Sequence, residues 1–159
     1  MSTRRGFLFC LAIAGAGAAA GSMAALAEVR TVAQATGTTV PERLALKGYD
    51  PVAYFTLATP TAGSSQYEYV HDGVRYRFAN PQHMAMFKAD PDKYAPQFGG
   101  MCTMNMAAGV RREADPTVWV ISNGSLYVFA GSGGADRFRQ HPQEALARAS
   151  VNWQTLRPQ

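Results

Sequence analysis

Hydrophobic and polar residues alternate in two parts of the chain, and each part is divided by a turn dipeptide. Residues 67–71 and 74–78 flank Asp72-Gly73, and the segments VWVIS and LYVFAG flank Asn123-Gly124. Asp-Gly and Asn-Gly favour the positive φ angles that a two-residue hairpin turn requires. The pattern therefore predicts two β-hairpins. A shorter apolar run, residues 52–57, follows a turn at residues 48–51 and is predicted to be a further strand.

The remaining apolar positions indicate helices. Asn80 and Pro81 are typical of a helix start, with Asn80 as the N-cap and Pro81 at the first position. We expect this helix to end before Pro91, with a short second turn at residues 90–94. Residues 134–156 are helical in composition, and His141-Pro142 divides them into two pieces. Five apolar side chains repeat at the helix period and should pack on the sheet: Ala145, Leu146, Ala149, Trp153 and Leu156.

These elements predict a small α+β domain. Its two β-hairpins would form an antiparallel sheet that packs against the helix after Asn80 and against the C-terminal helices. The sequence gives no sign of an internal repeat. We place the domain at residues 44–156.

The N-terminal residues are predicted to be an export signal. Arg4 and Arg5 precede an apolar run, residues 7–20, and Ala25-Leu26-Ala27 forms a cleavage site before Glu28. The run is too short and too rich in Ala and Gly for a membrane-spanning helix. The order TRRGFL resembles the twin-arginine motif of folded-protein export, and the alternative is an ordinary secretion signal. Residues 1–27 are thus predicted to be removed, residues 28–43 to be a linker or arm, and the mature protein to be periplasmic or secreted.

Charge and cysteine content change after signal removal. Loss of Arg4 and Arg5 lowers the net charge from +4 to +2, and no long basic run remains to support nucleic-acid binding. Cys10 also leaves, so Cys102 becomes the single thiol and no internal disulfide is available. A lone thiol in an oxidising compartment favours metal binding, redox reactivity or pairing with another chain. The alternative is burial as an inert small hydrophobe.

The stretch FGGMCTMNMAAG surrounds Cys102 with Met101, Met104 and Met106. A helix would place Cys102 and Met106 on one face, and an extended chain would add Met104 to that face. Thiolate and thioether are soft ligands that suit Cu(I). Gly99 and Gly100 would let backbone donors turn toward the sulfur, and these two glycines are candidate site neighbours. The alternative for the methionines is ordinary core packing.

Several blocks of the chain resemble the YHS domain-containing proteins, in the exported single-domain group that includes selenoproteins. They are LKGYDPVAYF, YRFANPQHMAMFKADPDKYAPQFGGMC, DPTVWVISNGSLYVF and SVNWQTL, which together cover most of residues 44–156. The resemblance implies that some relatives carry selenocysteine at the position of Cys102, and therefore that this position does chemistry. The resemblance also extends to cysteine-rich domains of heavy-metal pumps, whose pattern YxFCSxxCxxxFxxNPxxY places Ala79 and His83 at its two cysteines. His83 becomes a candidate metal ligand through this comparison.

Asp50, in the block GYDPVAYF, is most simply a turn residue that caps its own backbone. A role beside Cys102 as acid, base or ligand is the alternative. No phosphate-binding loop, H-E-x-x-H, G-x-S-x-G or C-x-x-C motif competes with the Cys102 region.

Three hypotheses of function follow. The first is an exported protein that binds a soft metal, with copper as the expected cofactor, through Cys102, His83 and the methionines. The second is a monothiol redox protein that uses Cys102 as its reactive group. The third is a structural or partner-docking module in which Cys102 is inert. The sequence does not decide whether the protein is an enzyme, and it names no protein partner.

Overall fold

The computed structural model describes residues 43–157. The predicted signal, residues 1–27, and residues 28–42 of the predicted arm lie outside the described residues. The described chain contains five strands: β1 Arg43–Leu44, β2 Ser64–His71, β3 Val74–Phe78, β4 Asp115–Ser122 and β5 Ser125–Phe129. Over the same residues it contains six α-helices: α1 Ala53–Thr56, α2 Pro81–Ala89, α3 Pro91–Tyr94, α4 Thr103–Ala107, α5 Ser132–Gln140 and α6 Pro142–Leu156.

The strands form two sheets. β2 and β3 pair antiparallel around Asp72-Gly73, and β1 adds in parallel to the other edge of β3. β4 and β5 form a separate antiparallel pair around Asn123-Gly124. The α+β class and both predicted hairpins are therefore confirmed. The prediction that the two hairpins share one antiparallel sheet is wrong, because each hairpin lies in its own sheet. Asp72 and Asn123 have φ angles of 49° and 50°, as the predicted turns require.

The predicted strand at residues 52–57 is wrong, because this run forms the one-turn helix α1. Asp50 Oδ1 accepts hydrogen bonds from the N–H groups of Val52, at 2.8 Å, and Ala53, at 3.4 Å. These are donors that a helix start leaves unpaired, so the carboxylate favours a helical turn after Pro51. A short apolar run is compatible with a buried strand and with a buried helical turn, and hydrophobic periodicity does not separate them.

The predicted helix boundaries are confirmed. Asn80 Oδ1 accepts a hydrogen bond from the His83 N–H at 2.8 Å, and Pro81 is the first residue of α2. The helix ends at Ala89, and the predicted second turn is α3. His141 lies between α5 and α6, with Pro142 as the first residue of α6.

The chain contains an internal structural repeat, which the sequence reading missed. β2 and β4 each have eight residues, β3 and β5 five, and α2 and α5 nine. Both hairpins shift register at the same place, between Ser64 and Glu68 in one and between Asp115 and Trp119 in the other. We call residues 46–94 the first repeat and residues 98–145 the second repeat.

Each repeat opens with the same left-handed turn. Leu46, Lys47 and Gly48 have φ angles of 48°, 51° and 89°, and the three residues from Phe98 to Gly100 have 54°, 60° and 76°. The residue after each turn pairs with a later segment, as Tyr49–Ala62 and Met101–Glu113 bridges. Few residues are identical at matching positions, which hid the repeat in the sequence: Gly48/Gly100, Gly73/Gly124, Tyr76/Tyr127, Phe78/Phe129, Ala79/Ala130, Phe87/Phe138 and Pro91/Pro142.

One hydrophobic cluster joins the two repeats. Phe78 and Phe87 of the first repeat and Phe129 and Phe138 of the second belong to the same buried set. The edge of the Trp119 ring also packs on Tyr54, with centroids 5.4 Å apart. Among the described residues, no helix is long and apolar enough to cross a membrane.

Candidate functional site

Asp50 is the most enclosed charged residue described. Its side chain is fully buried, and Oδ1 caps α1 as noted above. Its second oxygen, Oδ2, accepts from the Ala79 N–H at 2.8 Å and lies 2.6 Å from Nδ1 of His83. Four donors therefore surround one buried carboxylate, which is the arrangement that offsets the cost of removing such a charge from water. The predicted backbone-capping role of Asp50 is confirmed.

His83 has a partner at each ring nitrogen. Nδ1 faces Asp50, and Nε2 lies 3.3 Å from Oγ1 of Thr56. The Thr56 hydroxyl also lies 3.1 Å from the Val52 carbonyl, to which it donates. The His83 side chain is 9% exposed. The structure thus brings together two predicted site residues, Asp50 and His83, and adds Thr56, which the sequence reading did not single out.

The Asp50–His83 pair connects three parts of the first repeat. Asp50 holds the start of α1, His83 is on the first turn of α2, and Ala79 follows the end of β3. Ala79 and His83 are the two positions that the resemblance aligned with cysteines. In this chain, the Ala79 N–H and the His83 imidazole both bind the Asp50 carboxylate.

Cys102 lies in the corresponding part of the second repeat. Its side chain is 2% exposed, and it is the N-cap residue of α4. Its backbone N–H donates to the Arg112 carbonyl at 2.9 Å, and its carbonyl accepts from the Met106 N–H at 2.9 Å. The helical alternative for this stretch is therefore the observed one. Cys102 and Met106 are separated by one helical turn.

The methionines around Cys102 differ in burial. Met101 is 4% exposed and Met106 is fully buried, and both share the hydrophobic cluster with Cys102. Met104 is only partly buried and lines a surface groove of about 550 Å³ between α4, α5 and α6. The burial of Met101 and Met106 among apolar neighbours is consistent with ordinary core packing. The sulfur atoms of Met101, Cys102 and Met106 are also of the type that soft metal ions prefer.

Thr103, next to Cys102, carries an unexplained polar atom. Its side chain is fully buried, and its hydroxyl is the only buried side-chain nitrogen or oxygen of the described residues that lacks a hydrogen-bond partner. Leaving a buried hydroxyl unpaired costs about 1–3 kcal/mol. The sequence offered no signal for this residue, because threonine at a helix start is ordinary.

Gly99 and Gly100 form the left-handed turn that leads to Cys102. A Cβ at Gly99 would lie 3.2 Å from both Arg43 Nη2 and the Trp153 ring, so a side chain at this position would require these neighbours to shift. The Arg43 guanidinium donates to the Gly99 carbonyl, and burial lowers the pKa of Arg43 from its usual value. The two glycines therefore fix the path of the chain into the Cys102 position.

Asp50–His83 and Cys102 belong to different packing environments. The helix that carries His83, α2, packs on α3, β2 and β3, whereas α4 packs mainly on α5, α6 and β5. Within residues 43–157, no three His, Cys, Asp or Glu residues are grouped closely enough to hold a metal ion. A metal at Cys102 would accordingly depend on methionine sulfur. Cys102, Met101 and Met106 all belong to the buried hydrophobic cluster, and thiolate and thioether sulfur are the donor types that a soft ion prefers.

The surroundings of Tyr54 and Asp115 also shift the pKa values of these two groups. Burial raises the pKa of Tyr54, whose hydroxyl donates to the Pro116 carbonyl at 2.9 Å. Hydrogen bonds from the Thr117 hydroxyl and N–H lower the pKa of Asp115, at the start of β4. Both groups have local structural partners, so neither competes with Cys102 as a chemical centre.

Comparison of the chain with protein-family models, with curated proteins and with solved structures finds no match. The functional argument therefore depends on the residues of this chain.

Proposed function

We propose that this protein is an exported YHS-type module that binds one Cu(I) ion through Cys102, with Met106 and Met101 as thioether ligands. The observation that carries the proposal is that all three side chains are buried in one hydrophobic cluster, with Cys102 and Met106 one helical turn apart.

The donor chemistry supports copper over harder metals. Thiolate and thioether ligands select Cu(I), whereas Zn²⁺ at structural sites takes four Cys or His ligands. Only one cysteine remains after the predicted signal removal, and no group of His, Cys, Asp or Glu ligands surrounds it among the described residues. An all-sulfur site with one thiolate is therefore the coordination that this chain offers.

The apolar surroundings of the three sulfur side chains favour Cu(I) over Cu(II). Buried thioether and thiolate ligands without hard oxygen donors stabilise Cu(I) relative to Cu(II). In this proposal His83 is not a ligand, because Asp50 and Thr56 already engage both of its ring nitrogens.

Anaerobic Cu(I) titration of the exported protein against a chromogenic chelator tests the proposal. We expect one equivalent to bind to the native protein and none to Cys102→Ser. Met106→Leu keeps the side-chain volume but removes the thioether, and should weaken binding about tenfold or more, which corresponds to about 1.4 kcal/mol. Met84→Leu, on α2, is the matched control and should bind as the native protein does.

The same samples distinguish the other hypotheses. Unchanged Cu(I) binding in Cys102→Ser would overturn the proposal. If the native protein binds no copper but its thiol is alkylated rapidly at neutral pH, the monothiol redox function is favoured. If the native protein neither binds copper nor reacts with the alkylating reagent, the third hypothesis, a structural or partner-docking module, is favoured.

A further inference from the structure

The two repeats place Asp50 and Cys102 at the same position. Each is the second residue after the left-handed turn. The Asp50 N–H donates to the Thr61 carbonyl at 2.8 Å, and the Cys102 N–H donates to the Arg112 carbonyl at 2.9 Å. The buried carboxylate of the first repeat is therefore replaced by a buried thiol in the second.

The same correspondence pairs His83 with Gly134. His83 is five residues after Phe78, which ends β3, and Gly134 is five residues after Phe129, which ends β5. The helices then continue to Phe87 and Phe138, which are also matched. The second repeat consequently lacks the imidazole that faces Asp50 in the first.

Met104 lies close to the position that the missing side chain would occupy. A Cβ built on Gly134 would be 3.8 Å from Met104 Cγ, in ordinary contact and without a clash. The first-repeat counterpart of Met104 is Val52, which is shorter and lacks sulfur. The Met104 side chain thus lies within contact distance of the point from which an imidazole would extend.

Thr103 provides an independent observation. Its first-repeat counterpart is Pro51, which has no hydroxyl, so the fold of the repeat does not require a polar atom at this position. The fully buried Thr103 hydroxyl nevertheless has no partner. The scaffold neither needs nor satisfies this buried hydroxyl, and a metal-bound thiolate at Cys102 would give it an acceptor.

We infer that Gly134 determines the metal preference of the Cys102 site, because it withholds the imidazole that His83 supplies in the first repeat and so favours Cu(I) over Zn(II) and Cu(II). The inference rests on the proposed function. Imidazole is a good ligand for Zn(II) and Cu(II), while thioether favours Cu(I). The first repeat shows that a side chain at this helix position reaches the residue after the turn, because His83 Nδ1 is 2.6 Å from Asp50.

The metal-binding test is Gly134→His. We expect its affinity for Zn(II) and for Cu(II) to rise at least about tenfold over the native protein, and the Cu(II) complex to absorb in the visible through its thiolate. Gly133→His is the matched control, because Gly133 lies on the same helix turn with open space around it. Equal Zn(II) and Cu(II) affinities for Gly134→His, Gly133→His and the native protein, with all three folded, would overturn the inference.

A metal-free test separates this inference from the proposed function. In a Met104→Val background, Cys102→Asp should lower the Tm, because it buries a carboxylate without its imidazole. Adding Gly134→His should restore most of that loss by rebuilding the Asp50–His83 arrangement in the second repeat. If the effects of Cys102→Asp and Gly134→His on the Tm are strictly additive, the positional correspondence between the two repeats is overturned. Restoration in a protein whose native form binds no Cu(I) would overturn the proposed function and leave the correspondence intact.

Discussion

At the level of single residues, the strongest constraint in the first repeat is the Asp50–His83 pair. Both side chains are buried and every nearby donor is used, so the loss of one partner leaves a buried group unpaired. Removing one member of such a pair costs about 3–5 kcal/mol. We expect Asp50→Asn and His83→Gln each to lower the free energy of unfolding by an amount in this range, measured by urea denaturation.

A second Asp–His pair in the chain provides the control. His71 Nε2 lies 3.6 Å from Asp72 Oδ2, and the Asp72 side chain is 89% exposed. Surface ion pairs contribute about 0–1 kcal/mol. Asp72→Asn should therefore change stability little, and an equal effect at Asp50 and Asp72 would contradict the role assigned to burial.

Tyr76 links stability to high pH. Burial raises the pKa of Tyr76 to about 12 from 10.0, so the folded state favours the neutral phenol. This contribution is complete below pH 10 and is lost as the pH rises from 10 to about 12, because the unfolded chain releases the proton first. The total is about 2–3 kcal/mol. Alkaline denaturation of the native protein and Tyr76→Phe should show a smaller loss in the variant, and identical profiles would refute the assignment.

At the level of elements, hairpin turns and helix caps could be read from the sequence because each depends on neighbouring residues. Asp72-Gly73, Asn123-Gly124 and Asn80-Pro81 all formed the predicted structures. Residues 52–57 did not form the predicted strand, because the Asp50 carboxylate accepts a hydrogen bond from the Val52 N–H and so stabilises a helical turn. The contact between Asp50 and His83 joins residues 33 positions apart, and no local pattern encodes it.

The Asn80 cap is a testable case of such local encoding. Asn80→Ala removes the acceptor for the His83 N–H and should cost about 1 kcal/mol in unfolding free energy. Asn80→Asp retains an acceptor at the same place and should remain close to the native protein. Equal losses in the two variants, measured by urea denaturation, would show that the amide group has another role.

At the level of the whole molecule, the repeat could not be recognised from the sequence because its two copies differ most where their chemistry differs. Asp50 and His83 are matched by Cys102 and Gly134, and the shared residues are mostly glycine, proline and aromatic side chains that shape turns and core. The duplication is shown by the equal lengths of matching elements, the φ angles, the register shifts and the paired hydrogen bonds.

The shared core predicts cooperative unfolding of the two repeats. Tyr54 of the first repeat contacts Trp119 of the second, and both repeats supply side chains to one cluster. We expect tryptophan fluorescence and far-UV circular dichroism to give coincident transitions in urea. Two separated transitions would show that each repeat folds on its own.

The central claim is that sulfur, and not histidine, surrounds copper at Cys102. X-ray absorption at the copper K-edge of the one-to-one Cu(I) complex measures the ligand type directly. The account predicts a first shell of sulfur scatterers alone, with no imidazole outer-shell pattern. A shell dominated by nitrogen or oxygen, or a spectrum unchanged in Cys102→Ser, would contradict it.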